Sequence, residues 1–208
     1  MKYFLEIGLG ITSAFALLSG IRRYTILDDS SKIVLLIIAA SLLLELPFFY
    51  ISRHDNPVLI NTCIAVHFLL ICIYFNHTID VFIRHNTGLK IGVAGLLLGA
   101  GTAGHPWGHY CSLVESLCVT GMCLFAFYRL LSRHEQLRLM RYQHFWFITL
   151  FLFYWSITYF IRSFFTYELL PAGSTLSVGQ SMKLISLFTY TGAGCVFLLY
   201  KEKFTVHE

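Results

Sequence analysis

His105 and His109 stand four residues apart in the stretch HPWGHY (105–110). Imidazoles at i and i+4 on one helical face can hold a single metal ion. Zinc accepts imidazole and carboxylate, and a catalytic site adds water to three protein ligands. Glu115, Cys111 or Glu45 could supply the third ligand, so a zinc-dependent hydrolase using His105 and His109 is one reading. The other is a plain interfacial loop. Pro106 suits the first residue of a helix, which leaves His105 in a capping position rather than in a regular turn.

The elements that would position these groups follow from composition. Of 208 residues, 57% are hydrophobic and 12% charged, with a mean hydropathy of +0.69. A soluble domain carries about 25% charged residues. Half that fraction cannot coat a water-facing surface, so most of this surface faces lipid. A helix crosses a bilayer with about 20 apolar residues. Seven stretches qualify: about 3–21, 33–51, 57–80, 89–104, 107–131, 144–166 and 181–200. The loops are short, so 1–208 reads as a single seven-helix transmembrane domain, an all-α integral membrane protein. Ala14-Phe15-Ala16 resembles a leader-peptidase site, but Glu6 interrupts the apolar run, which favours a retained first span.

Orientation comes from Lys and Arg in the short loops. Arg22, Arg23 and Lys32 mark the first loop, Arg84 and Lys90 the third, and Arg129, Arg133, Arg138 and Arg141 the fifth. The second carries only Arg53, and HPWGHY carries none. The alternation predicts an N-terminus outside and a C-terminus in the cytoplasm, with HPWGHY on the outer face. The basic segment 132–144 then faces the cytoplasm, either simply setting topology or meeting anionic lipid or a partner.

Ionisable groups inside a span are expensive and generally face the bundle interior. At about 1.5 Å per residue, Glu6, Glu45, Glu115, Arg162 and Lys183 share the outer third of the bilayer with His105 and His109. His67 falls near the middle of the third span, and Tyr154 is at a depth where its hydroxyl needs a partner. Two accounts fit. One is a salt-bridged network that ties the helix ends together. The other is an outward-facing polar pocket built from Glu45, His105, His109, Glu115, Arg162 and Lys183, with His67 and Tyr154 as its floor. A third group, Asn76, His77 and Asp80, reads as the solvated inner end of the third span. Gly95 and Gly99 have the spacing that permits close helix approach.

Other classes recede. No basic stripe suits nucleic acid. There is no G-x-S-x-G, phosphate loop or H-E-x-x-H. The six cysteines lie in apolar runs without a C-x-x-C pair and read as small helix hydrophobes. Lys183 is too near the outer edge for a retinal Schiff base. An odd span count without an internal repeat does not suggest a transporter.

Three segments carry a resemblance. They are ELPFFYISRHDNPVLINTCIAVHFLLICIYF (45–75), VESLCVTGMCLFAFYRLL (114–131) and HFWFITLFLFYWSITYFIRSFF (144–165). Together they resemble small seven-span membrane proteins of Bacteroidetes-type bacteria, often encoded beside sensor histidine kinases. The resemblance implies a multi-pass protein of the bacterial cytoplasmic membrane and a sensory association. Lys183 departs from that pattern, and the family has no established site residues to carry over. The H-x-x-x-H pair also occurs in seven-span hydrolases of the ceramidase and progestin-receptor-like superfamily. The wider His, Asp and Ser set of those enzymes is not traceable here. The expectation is a receptor-like membrane protein binding a small ligand from the outer side, with a cytoplasmic signalling partner and no cofactor. The alternative is the zinc hydrolase.

Overall fold

The computed structural model describes residues 2–50, 57–101, 108–132, 142–166 and 175–199, with side chains placed over 4–42, 64–98, 113–132, 142–164 and 180–199. Among the described residues the chain is helical, without strands: α1 (Lys2–Arg22), α2 (Asp29–Tyr50), α3 (Pro57–Thr78), α4 (Asp80–His85), α5 (Thr87–Gly101), α6 (Gly108–Ser132), α7 (Gln143–Thr166) and α8 (Thr175–Leu198). Phe4–Arg22, Leu113–Ser132, Gln143–Phe164 and Gln180–Leu198 are long and apolar enough to cross a membrane. The apolar parts of α3 and α5, described over Ile64–Thr78 and Thr87–Leu98, are shorter.

The helices are apolar on both faces. On α6, Val119, Met122, Cys123 and Ala126 are buried, while Val114, Leu117, Leu124 and Tyr128 are exposed. On α7, Phe147, Ile148, Phe151 and Trp155 point in, and Phe153, Phe160 and Phe164 point out. A surface this apolar is stable only against lipid or another apolar partner.

Packing closes a ring. Contacts run α1–α2–α3–α6–α7–α8 and back to α1, and α5 lies outside against α3. Two bonds fix α1 parallel to α8. Lys183 Nζ donates to Glu6 Oε1 at 2.8 Å near the two helix starts, and an Arg23 guanidinium nitrogen reaches the Leu198 carbonyl at 3.5 Å near the two ends. The bundle therefore has a Lys183 end and an Asp28 end.

Small residues set the closest approaches. A Cβ added at Gly88 would lie 2.6 Å from the Cys72 carbonyl oxygen, one at Gly92 would lie 2.9 Å from Cys72 Cβ, and one at Gly95 would meet the Phe68 ring. The glycine patch of α8 does the same: Gly192 faces Leu150 of α7, and Gly194 faces Phe15 of α1.

Local chemistry explains the breaks. Asp28 caps α2, its Oδ1 accepting the Ser31 N–H at 3.2 Å. The expected single loop between the third and fourth spans is instead the short α4. It ends at Asn86, whose φ of 48° is the left-handed conformation that asparagine tolerates at a helix C-terminus. Lys90, expected in that loop, belongs to the first turn of α5.

Candidate functional site

Inside the ring is a cavity of about 220 Å³ lined by α2, α3, α6, α7 and α8. On α7 it runs from Phe147 to Arg162, about 22 Å at about 1.5 Å per residue. Its walls are mostly apolar: Val34, Ile37 and Ile38 from α2, Ile71 from α3, and Phe151 and Trp155 from α7. A small set of polar groups reaches it, the usual composition of a site that orients a small molecule.

His67 and Ser41 form one polar pair. The Ser41 hydroxyl donates to the Ile37 carbonyl at 2.9 Å, so its oxygen is left to accept, and His67 Nε2 lies 2.6 Å away. Across the cavity, Thr189 Oγ1 is spent on its own helix, donating to the Ile185 carbonyl at 2.9 Å.

Glu115 and Arg162 form the other set, nearer the Lys183 end. Glu115 sits in the second turn of α6, which places it on the inward stripe with Val119 and Met122. Only 5% of it is exposed, yet among the described residues neither carboxyl oxygen has a hydrogen-bond partner. Arg162, in the last turns of α7, is the charge that acts on it, without forming an ion pair. Buried polar groups are nearly always hydrogen-bonded, and an unmet one costs its full desolvation. A carboxylate left this way in a cavity wall is a marked exception.

No protein-family model, curated protein or solved structure matches this chain.

The site must therefore be argued from its own residues. Of the eight sequence-predicted pocket residues, the fold brings His67, Glu115, Tyr154 and Arg162 to one cavity. Lys183 does not line it: its ammonium bridges to Glu6 of α1, with 26% and 22% of the two side chains exposed. That polar cluster thus divides into a helix-tying bridge, Lys183 with Glu6, and two residues that line the cavity, Glu115 and Arg162. His105 and the side chains of Glu45 and His109 lie outside the described residues, and with them the zinc alternative's imidazole pair. Among the described residues no group of three His, Cys, Asp or Glu is arranged to hold a metal. His77 and Asp80 are exposed, as expected for a solvated helix end.

The opposite end holds a network that sequence reasoning missed. His144 Nε2 lies 2.8 Å from Asp28 Oδ2, and its Nδ1 lies 3.3 Å from the Tyr74 hydroxyl. The carboxylate only accepts, so Nε2 donates, and in the neutral ring Nδ1 then accepts from Tyr74. Tyr74 is fully buried and His144 is 7% exposed. Above this network Tyr74, Phe75, Phe147 and Phe197 form a layer almost without exposure, with Tyr74 edge-on to Phe151 at 5.4 Å and Phe147 against Phe197 at 5.2 Å. Of the layer's rings, Phe147 also lines the cavity, at the end nearer Asp28. Asp28 was legible as a cap-type residue before an apolar run, but nothing in the sequence pairs it with His144. Outside the spans, Lys32 holds the exposed Asp29 carboxyl below its usual range through a 2.9 Å hydrogen bond.

Proposed function

We propose that this chain is a receptor-like or sensory membrane protein of seven spans, with its N-terminus outside and its C-terminus in the cytoplasm. Its cavity takes a small ligand from the Lys183 end, which is the outer face, and the bound state is read by a cytoplasmic signalling partner. The observation that carries this reading is Glu115: a buried carboxyl without a hydrogen-bond partner among the described residues, set in the wall of a cavity that Arg162 also lines.

Three further features support it. The aromatic layer at the Asp28 end argues for binding rather than passage. The parallel α1 and α8 suit an odd number of crossings, which agrees with the alternation of basic loops. The resemblance to small bacterial seven-span proteins found beside sensor kinases suits a sensory role in a bacterial cytoplasmic membrane.

The test is ligand-dependent stability of the purified protein. Small amphipathic compounds are screened by thermal unfolding in detergent and in nanodiscs. At least one raises Tm in a concentration-dependent way, and Glu115→Gln removes the rise. A broad screen that shifts nothing overturns the reading. Reporter fusions at the two termini must also report opposite compartments.

A further inference from the structure

Resting on that binding reading, we infer that the cavity selects a small zwitterion with an apolar body, the chemistry of an apolar α-amino acid. Two observations carry it: the pairing of opposite charges in the wall, and the volume and lining of the space.

Glu115 and Arg162 both line the cavity but do not bond to each other. A bare amine entering there gains Glu115 and is repelled by Arg162. A bare carboxylate gains Arg162 and leaves the Glu115 carboxyl unmet. A neutral apolar molecule leaves the buried Glu115 and the partly buried Arg162 both unmet, which is the costliest outcome for groups of this kind. A head that carries an ammonium and a carboxylate satisfies both at once: the ammonium donates to Glu115, and the guanidinium donates to the ligand carboxylate, for which its fork geometry is suited. The net charge entering the membrane is zero, so the desolvation of the site is compensated within one complex.

The volume sets the rest of the molecule. A dry cavity of about 150 Å³ accommodates benzene. The about 220 Å³ here holds a branched chain or a ring together with a short polar head. The lining towards the aromatic layer is apolar, with Ile38, Ile71, Phe151 and Trp155 around the position of the body. His67, Tyr154 and Tyr190 also line the space, so an ether, amide or hydroxyl on the ligand would be tolerated.

The experiment compares L-leucine with its two half-molecules, isoamylamine (no carboxylate) and 4-methylpentanoate (no ammonium), by thermal shift and calorimetry on the full chain in nanodiscs. Leucine or phenylalanine raises Tm, and each half-molecule binds about ten- to hundred-fold more weakly, the scale of one lost charged hydrogen bond. The variants exchange the preference. Glu115→Gln weakens leucine relative to 4-methylpentanoate, because the ammonium has lost its acceptor. Arg162→Gln loses leucine and gains isoamylamine. The parent's preference among the three compounds needs no variant, so a misfolded variant does not remove the test. If either half-molecule binds as tightly as leucine, the zwitterion inference is overturned while the pocket reading stands. If uncharged leucine-sized alcohols bind best, the inference is likewise overturned. If none of these compounds, charged or neutral, shifts Tm, both fall together.

Discussion

His144 Nε2 donates to Asp28 Oδ2 at 2.8 Å and thereby ties the start of α7 to the start of α2. The same carboxylate caps α2 through the Ser31 N–H. One side chain thus terminates a helix and joins two of them, and the Tyr74 hydroxyl completes the chain from inside the bundle.

Asp28→Ala removes both functions. A lost cap costs about 1 kcal/mol and a lost charged hydrogen bond about 1.5–3 kcal/mol, so the variant is destabilised by about 2–4 kcal/mol. Tyr74→Phe, which strips one hydroxyl from His144, costs about 1–2 kcal/mol. In a double-mutant cycle, Asp28→Ala and His144→Ala are non-additive by more than about 0.5 kcal/mol. Additive losses would show that the contact is not coupled. The neighbouring Asp29 is the control. Its exposed carboxyl is held low by Lys32, so its contribution is present above the ordinary carboxyl pKa and fades as pH falls through the lower folded value. Being solvated, it is screened, and Asp29→Asn leaves Tm at neutral pH unchanged.

Glycine substitutions separate close packing from open surface. At Gly88 an added Cβ meets the Cys72 carbonyl oxygen at 2.6 Å, and backbone does not yield as a side chain does. Gly88→Ala costs about 1–3 kcal/mol, the usual range for overpacking. At Gly10 and Gly121 an added Cβ meets nothing within 4 Å, so alanine there is neutral or slightly stabilising, since it lowers the entropy lost on folding. Thermal unfolding of the three variants checks the order, and a harmless Gly88→Ala would mean that α5 does not sit this close to α3.

Thr158 is fully buried on α7, and its Oγ1 has no hydrogen-bond partner. Valine has the same shape without the hydroxyl. Thr158→Val therefore stabilises the protein by about 1 kcal/mol, the desolvation cost of an unmet hydroxyl. A loss of stability would show that the hydroxyl is satisfied in the folded protein.

Lys183 and Glu115 stand at similar depth and behave differently. Lys183→Met breaks the bridge to Glu6 and lowers Tm by a few degrees, consistent with about 1 kcal/mol. It leaves the thermal response to leucine intact, because Lys183 does not line the cavity. Glu115→Gln does the opposite: it removes the response. Identical behaviour of the two variants would return Lys183 to the pocket.

That contrast also marks how far the sequence could be read. Span positions followed from runs of apolar residues, and Pro57 opened α3 as its place before an apolar stretch indicated. The depth of Glu115, Arg162 and Lys183 followed from counting residues along helices. Their azimuth did not. A helix that is half polar announces which side faces in, but these helices are apolar all round. Arg162 and Lys183 both sat near the outer ends, and only packing decided that one faces the cavity and the other faces α1. The glycines of α5 were legible as a contact surface, but α3 as the partner was not. The short α4 escaped because DVFIRH (80–85) is a single polar-flanked turn between two apolar runs. His144 was read with the basic loop before it, because a pair separated by more than a hundred residues leaves no local signal.

The parallel seam between α1 and α8 has a consequence for biosynthesis. Glu6 and Lys183 are joined across almost the whole length of the chain, so α1 enters the bilayer long before the helix that seals it in place. Until α8 emerges from the ribosome the ring has a gap, and α1 must wait beside lipid or a chaperone. The cavity, which takes part of its wall from α8, is therefore the last feature to be completed. A nascent chain stalled before residue 175 has most of its helices and an incomplete cavity.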